Sequence, residues 1–557
     1  MMKRKTLGIT LTAAALTLLL SACGGKQNAA TTATLNLVQA SDPTTVDVND
    51  VRNANEFDVL NATQEGLFRI TSKNGHDGLQ LAQAKSYTVS KDGLTYTFKL
   101  RDAKWSDGKA VTAQQFVDSI IRELTPKNAF AYASMAYDIR GAEAFNTGKG
   151  TAAQVGAKAL DAHTLQLTLA NKTPYFLKKL ASVVFYPVRL DLIQKAGGTK
   201  AWKTDWQDQV SNGAYTIQSW KKNGKIVLAK NPKFWNAKKV SFTKVNITTT
   251  AKDATVLSLL QSGQLDFVKA SGAQAADFDK LSSSAKLSKS TQASGNTSFL
   301  AFNQHNGGLS KLMTNAKIRQ ALSLAINREA YNKAVANGQS KAVYSFVPAS
   351  ISVGTSNYHD YAGDLLKPAL AKYNTNAKLQ ALFKAGLKEL GQSTDLAKVK
   401  LTYLTMAGDE DTSSFLAQTY KQSLGITVKA VVAPDSASFI AARNGNKYDL
   451  LTNGWNGDYD DPSTFLNLWV STGGFQQFFG GYNDPAYDKL YATLAPVADT
   501  KSRLAIYKRL ETLLLTKDYG VAPLISDQNR YYVAKDIKGI QTPTFGPDLD
   551  YVYATRG

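Results

Sequence analysis

Apolar residues spaced by two alternate along the whole chain with apolar stripes spaced by three and four, and a mixed α/β protein is the class that satisfies both periods. Leu35 and Leu37 share one face of an early strand. Leu94, Tyr96 and Phe98 do so in a second, and Leu165, Leu167 and Leu169 in a third; each strand is expected to bury that face. Thr112-Ala113-Gln114-Gln115 has the form of a capping box, and Phe116, Val117, Ile120, Ile121 and Leu124 follow at helical spacing, which predicts a helix beginning there. Comparable stripes run through Ile318, Ala321, Leu322 and Ala325, and through Leu504, Tyr507, Leu510 and Leu514. The charged, Ala-rich stretch from Lys367 to Lys388 is expected to form surface helices. No repeat of solenoid length and no long linker divides the chain.

The N-terminus sets the compartment. Lys3, Arg4 and Lys5 precede an uncharged, mostly apolar run from Leu7 to Leu20, and Ser21-Ala22-Cys23-Gly24 follows. The run is shorter than the roughly 18–20 apolar residues that span a bilayer as a helix, so a secretory leader with a cleavage site is expected. The small residues ahead of Cys23 resemble a bacterial lipobox, in which that cysteine becomes the lipidated (palmitate-type acylated) first residue of the mature protein. Cys23 is also the single cysteine of the 557 residues, so no disulfide forms within the chain. The small, polar segment after it reads as a flexible tether. A formal charge of +21 leaves a strongly basic mature chain. Its lysines are dispersed and form no dense run, which points to a solvated basic surface and away from nucleic acid.

Enzyme signatures are missing. The four histidines, His76, His163, His305 and His359, have no helical or finger-like metal spacing. Asp409-Glu410-Asp411 and Asp458-Tyr459-Asp460-Asp461 lack the alternating ligands of a calcium loop. There is no G-x-S-x-G elbow, P-loop or G-x-G-x-x-G, and the Ser-x-x-Lys occurrences lack a Lys-Thr-Gly partner.

Five segments, in order along the chain, resemble the oligopeptide-binding (peptide/nickel-type) extracytoplasmic solute receptors of ABC importers. They are Trp105 to Val117, Ser211 to Tyr215, Asn231 to Trp235, Ile318 to Leu322 and Gly454 to Pro462, the last reading Gly-Trp-Asn-Gly-Asp-Tyr-Asp-Asp-Pro. The resemblance implies a two-lobed periplasmic-binding-protein-like fold of type II, from the large cluster with an extra subdomain in the first lobe. It further implies a non-enzymatic, monomeric, lipid-anchored protein at the cell surface, which needs no cofactor or metal, binds oligopeptides and delivers them to ABC permease subunits. The expected division is 1–22 as lipoprotein signal, 23–33 as tether, 34–62 with 203–305 and 529–557 as lobe I, 63–202 as the extra subdomain and 306–528 as lobe II.

The last segment suits binding on physical grounds as well. Gly454 and Gly457 flank Trp455 and leave room for a second backbone, and Asp458 offers a fixed negative charge to a peptide's ammonium. By the resemblance, Asp458 holds the α-ammonium, Gly454, Trp455 and Asn456 pair with the peptide backbone, and Arg52, Asn53, Ala54 and Arg443 lie near the ligand. Hydrogen bonds to the ligand backbone do not depend on its sequence, so broad specificity follows. Ser436, Thr452 and the Asp409 to Asp411 cluster depart from the family's usual pocket residues, the last of these favouring basic or longer peptides over a carboxylate held there. A secreted peptidase and a basic adhesin for wall polyanions are the rival classes. Nickel, a further family substrate, is disfavoured by the sparse histidine.

Overall fold

A computed structural model describes residues 33–73, 76–270, 275–282, 286–473 and 479–557. The leader, Cys23 and the tether up to residue 32 lie outside them. Among the described residues no helix is long and apolar enough to cross a membrane.

Three bodies surround the site. In the first, Thr34–Gln39 runs parallel to Lys244–Thr249, which pairs antiparallel with Lys225–Lys230, followed by Tyr215–Lys221. Leu35 and Leu37 are buried on one face, as their spacing requires, among Ile226, Leu228, Val245 and Ile247. A three-stranded antiparallel sheet, Phe267–Ala270, Gln528–Ala534 and Leu287–Ala293, completes this body.

The second body is an antiparallel sheet in the order Ala84–Val89, Thr95–Leu100, Thr164–Thr168, Ala157–Asp161. Tyr96, Phe98, Leu165 and Leu167 point from it into a core closed by the helix Ala113–Leu124. That helix starts where the capping box predicts: the Thr112 N–H donates to Gln115 Oε1 at 3.0 Å. Phe116, Ile120 and Leu124 are buried.

The third body is a six-stranded sheet in the order Lys341–Ala342, Val521–Ser526, Asn296–Phe302, Leu450–Asn456, Lys400–Met406, Thr427–Ala433. The helices Ala316–Ala325, Asn376–Glu389 and Glu410–Leu424 pack one another beside it. Within the stretch from Lys367, the helix Asn376–Glu389 is amphipathic and not simply a surface element: Leu379, Leu382, Phe383 and Leu387 are buried in the core.

The chain crosses between the first and third bodies at 293–296 and again at 526–528, and the two crossings are stitched together. Ser294 N–H donates to Asp527 O at 3.0 Å, Asp527 N–H to Asn296 Oδ1 at 2.8 Å, and Asn296 Nδ2 to Asp527 Oδ2 at 2.6 Å. Asn296–Phe302 pairs within the six-stranded sheet, so the sheet changes ahead of residue 305, where the sequence division placed the end of this lobe I segment.

Candidate functional site: a cleft at the crossing strands

Between the bodies lies a cavity of about 370 Å³ walled by the crossings themselves (Ser294, Gly295, Asn296, Asp527, Asn529), by the end of the strand Leu450–Asn456, and by Arg52 to Ala54. A second chamber of about 260 Å³ adjoins it, lined by Ile70, Asp77, Leu79, Lys178, Tyr459 and Asp460 among others. Ser182, Asp458, Phe545 and Gly546 line both, so Asp458 stands at the junction.

Close approach of three segments makes this geometry possible. Gly457 N–H donates to Gly295 O at 2.9 Å. A Cβ on Gly295 would come within 2.6 Å of the Phe545 ring, and one on Gly457 within 2.8 Å of it. Only glycine lets the two backbones and the ring meet there.

Within Asp458-Tyr459-Asp460-Asp461 the three carboxylates have separate tasks. Asp461 is buried and structural: it accepts from Ser463 N at 3.0 Å and Tyr507 OH at 2.5 Å. Asp460 accepts from Ser352 N at 2.6 Å and pairs with Lys178 Nζ at 2.7 Å. Asp458 accepts a long bond from Thr464 Oγ1 at 3.5 Å, and its N–H donates to the same oxygen at 3.0 Å. Among the described residues no cation forms an ion pair with it. Burial pushes its carboxyl up to about 6, with Lys179 and the Thr464 bond pulling the other way. Asp77 is raised further, to about 7, again by burial and against the pull of the Thr544 and Phe545 N–H groups.

The remaining expected residues divide. Asn456, Arg52, Asn53 and Ala54 line the larger cavity with Asp458. Asn53 is also the cap of the helix Ala54–Thr63, its side chain engaged with Glu56, and Arg52 pairs with Asp50 at 3.2 Å while its side chain stays exposed. Gly454 and Trp455 line neither chamber. Gly454 is exposed opposite Ser298, with no atom nearer than 3.8 Å to an added Cβ. Trp455 is half-buried against Phe479, edge to face at 5.9 Å. Arg443 sits in the last turn of the helix Ser436–Asn444 and lines neither chamber. The acidic cluster is also elsewhere: Asp409 accepts from Tyr403 OH at 2.9 Å and Thr405 Oγ1 at 2.7 Å, and Tyr403 OH meets Thr452 Oγ1 at 2.7 Å. Ser182, Lys269, Asp527, Asn529 and the 543–548 segment were not singled out by sequence. They come from separate parts of the chain, and no local pattern marks them.

The bodies touch across the cleft. Tyr459, carried by the third body, is buried in the core of the second, its ring stacked on Tyr175 at 4.9 Å and 11°. Lys179 Nζ lies 5.2 Å from the centre of the same ring. Among the described residues no group of three or more His, Cys, Asp and Glu side chains is arranged to hold a metal ion.

A two-lobed α/β molecule with a polar chamber at its crossing strands is a cleft-binding receptor. Residues 78–477 match the bacterial extracellular solute-binding proteins, family 5, middle region. The chain belongs to that family, a family of extracytoplasmic solute receptors and not of enzymes. It is 30% identical over 543 residues to the oligopeptide-binding protein OppA of Bacillus subtilis (95% of this chain, 96% of the relative). It is 32% identical over 571 residues to a dipeptide-binding protein of Lactococcus lactis subsp. cremoris (99% of each). The peptide-bound structure of Listeria monocytogenes OppA superposes with a TM-score of 0.75 at 27% identity, covering 94% of this chain and 99% of that one. The two-lobed type II fold expected from the resemblance is thereby established.

Proposed function

We propose that this protein captures oligopeptides outside the cytoplasmic membrane by their α-ammonium and delivers them to an ABC permease. The relatives named above bind oligopeptides or dipeptides, and one receptor of the same fold is described as the substrate-binding domain of an oligopeptide ABC transporter. The observation that carries the ammonium role is Asp458: a carboxylate that forms no ion pair among the described residues, at the junction of two chambers, destabilised as an anion until a cation arrives. Asn456 and Arg52 to Ala54 flank the peptide backbone, and the second chamber leaves space beyond the ammonium for a first side chain.

Cys23 carries a lipid that tethers a monomeric receptor to the membrane. The lobes divide at the crossings, near 294 and 527, with 63–202 as the extra subdomain of the first lobe. Titration calorimetry with an unblocked pentapeptide and its N-acetylated twin tests the ammonium role, and equal affinities would overturn it. Native mass spectrometry of the purified protein reads the ligand class directly.

A further inference from the structure

The charge of the cleft opposes that of the molecule. On a chain of formal charge +21, the charged residues lining the two chambers are Arg52, Lys178 and Lys269 against Asp77, Asp458, Asp460, Asp527 and Asp548. Two of these aspartates are neutralised in place, Asp548 by Lys269 at 2.6 Å and Asp460 by Lys178 at 2.7 Å. Burial raises the Asp77 carboxyl to about 7, which weakens its charge at neutral pH. Asp458 and Asp527 remain without an ion pair among the described residues.

Asp527 is half-buried in the wall of the larger cavity, and all its partners are neutral: Asn296 Nδ2 donates to Oδ2 at 2.6 Å and Ser340 Oγ to Oδ1 at 2.9 Å. An ionised carboxylate offers about four acceptor sites, so roughly two remain open. Lys341, in the strand paired with Ser526, is exposed and forms no ion pair with it among the described residues. The stitch between the crossings does not need this charge: an asparagine oxygen accepts from Asn296 Nδ2, and its NH2 donates to Ser340 Oγ, which then accepts in place of donating. Asn296 pairs with Asn456 in the six-stranded sheet and bonds Asp527 through its side chain, so Asp527 lies on the other side of Asn296 from Asn456 along the same cavity wall. A peptide whose α-ammonium is held at Asp458 runs along this wall, where a basic side chain further along the extended chain meets Asp527.

We infer that Asp527 is a second cation subsite, which takes a lysine or arginine side chain near the N-terminus of the bound peptide and makes this receptor selective for basic peptides. This rests on the peptide-capture reading above. Its test is calorimetry on the full mature protein, with penta-alanine, five variants carrying one lysine at each position in turn, and norleucine twins of the same length without the charge. At the second or third position lysine is expected to bind about tenfold tighter than norleucine, a ratio that falls below about twofold in Asp527→Asn and shrinks with added salt. Penta-alanine sets the baseline for each protein, and the lysine-to-norleucine ratio is compared within wild type and within Asp527→Asn. Equal affinity for the lysine and norleucine twins, or a lysine preference that survives in Asp527→Asn, overturns the subsite. Failure of every one of these peptides, penta-alanine included, to bind the wild type would instead remove the peptide-capture reading.

Discussion

Replacing Asp458 by asparagine separates the cost of this carboxylate from its use. Burial moves its pKa from the ordinary 3.8 to about 6, which corresponds to about 3 kcal/mol of strain on the ionised form. Because the folded value is the raised one, the native state is favoured when the group is protonated. That stability is complete below the unfolded pKa, is lost as pH rises through about 6, and is absent at pH 7.5. Asparagine keeps the shape and can accept the Thr464 bond, so the ligand-free variant is expected to be up to about 3 kcal/mol more stable than wild type at pH 7.5 and no more stable at pH 3. Peptide binding moves the opposite way. Loss of the counter-charge to a desolvated ammonium costs about 2–5 kcal/mol, a fall in affinity from about 30-fold to several thousand-fold. For the wild type, affinity falls about tenfold on going from pH 7.5 to 5, where about a tenth of Asp458 stays ionised. It falls again above about pH 8, as the peptide's amine loses its proton. Thermal melts with and without peptide, beside calorimetry across that range, read both halves. Binding of an unblocked peptide to the variant within threefold of wild type would refute the reasoning.

Three further outcomes follow from the same structure. Tyr459→Ala withdraws a ring from the opposite body's core; small-angle scattering of the liganded variant should show a more open molecule, with affinity down about tenfold or more, since burying such a ring contributes about 1.5–3 kcal/mol. Gly213→Ala should lower the melting temperature sharply, because its Cβ would fall 2.7 Å from both Gln64 N and Thr63 C, backbone atoms that cannot step aside cheaply. Cys23→Ser should leave soluble binding intact while abolishing incorporation of a labelled fatty acid in cells; persistent labelling would refute lipidation at that residue.

Local chemistry was legible in the sequence, and distant convergence was not. The capping box at Thr112 and the two-residue spacing of Leu35 and Leu37 specify their elements, because each depends on neighbours within a turn or a strand. Asp458 was found for a related reason, since the short glycine-flanked run around it carries the approach of two backbones within a few residues. Asp527 and Lys269 were invisible, because what makes them site residues is the meeting of the crossings with the 543–548 segment. Trp455 illustrates the converse. The resemblance places the Trp455 backbone beside the ligand and does not fix its ring, which strand alternation turns toward Phe479, outside both chambers.

The crossings and the cavity wall share residues, so on the proposed reading ligand occupancy bears directly on the segments that join the lobes. Asn296 and Asp527 are at once the stitch between the two crossings and part of the cavity wall. On the proposed reading, a peptide seated there touches both crossings, and Asp458 meets it from the third body. Among the described residues, contacts that join the third body to the others include Tyr459 in the second body's core, Phe545 in the third body's core, Arg503 over the Tyr175 ring at 5.3 Å, and the ion pair of Lys178 with Asp460, whose side chains keep 25% and 10% of their surface. Partly hydrated ion pairs contribute about 1 kcal/mol or less, and the Tyr459 ring about 1.5–3. Holding Asp458 ionised and uncompensated costs about 3 kcal/mol and offsets part of these gains. On the proposed reading, the arriving ammonium removes that cost and so favours the arrangement in which the bodies meet around it.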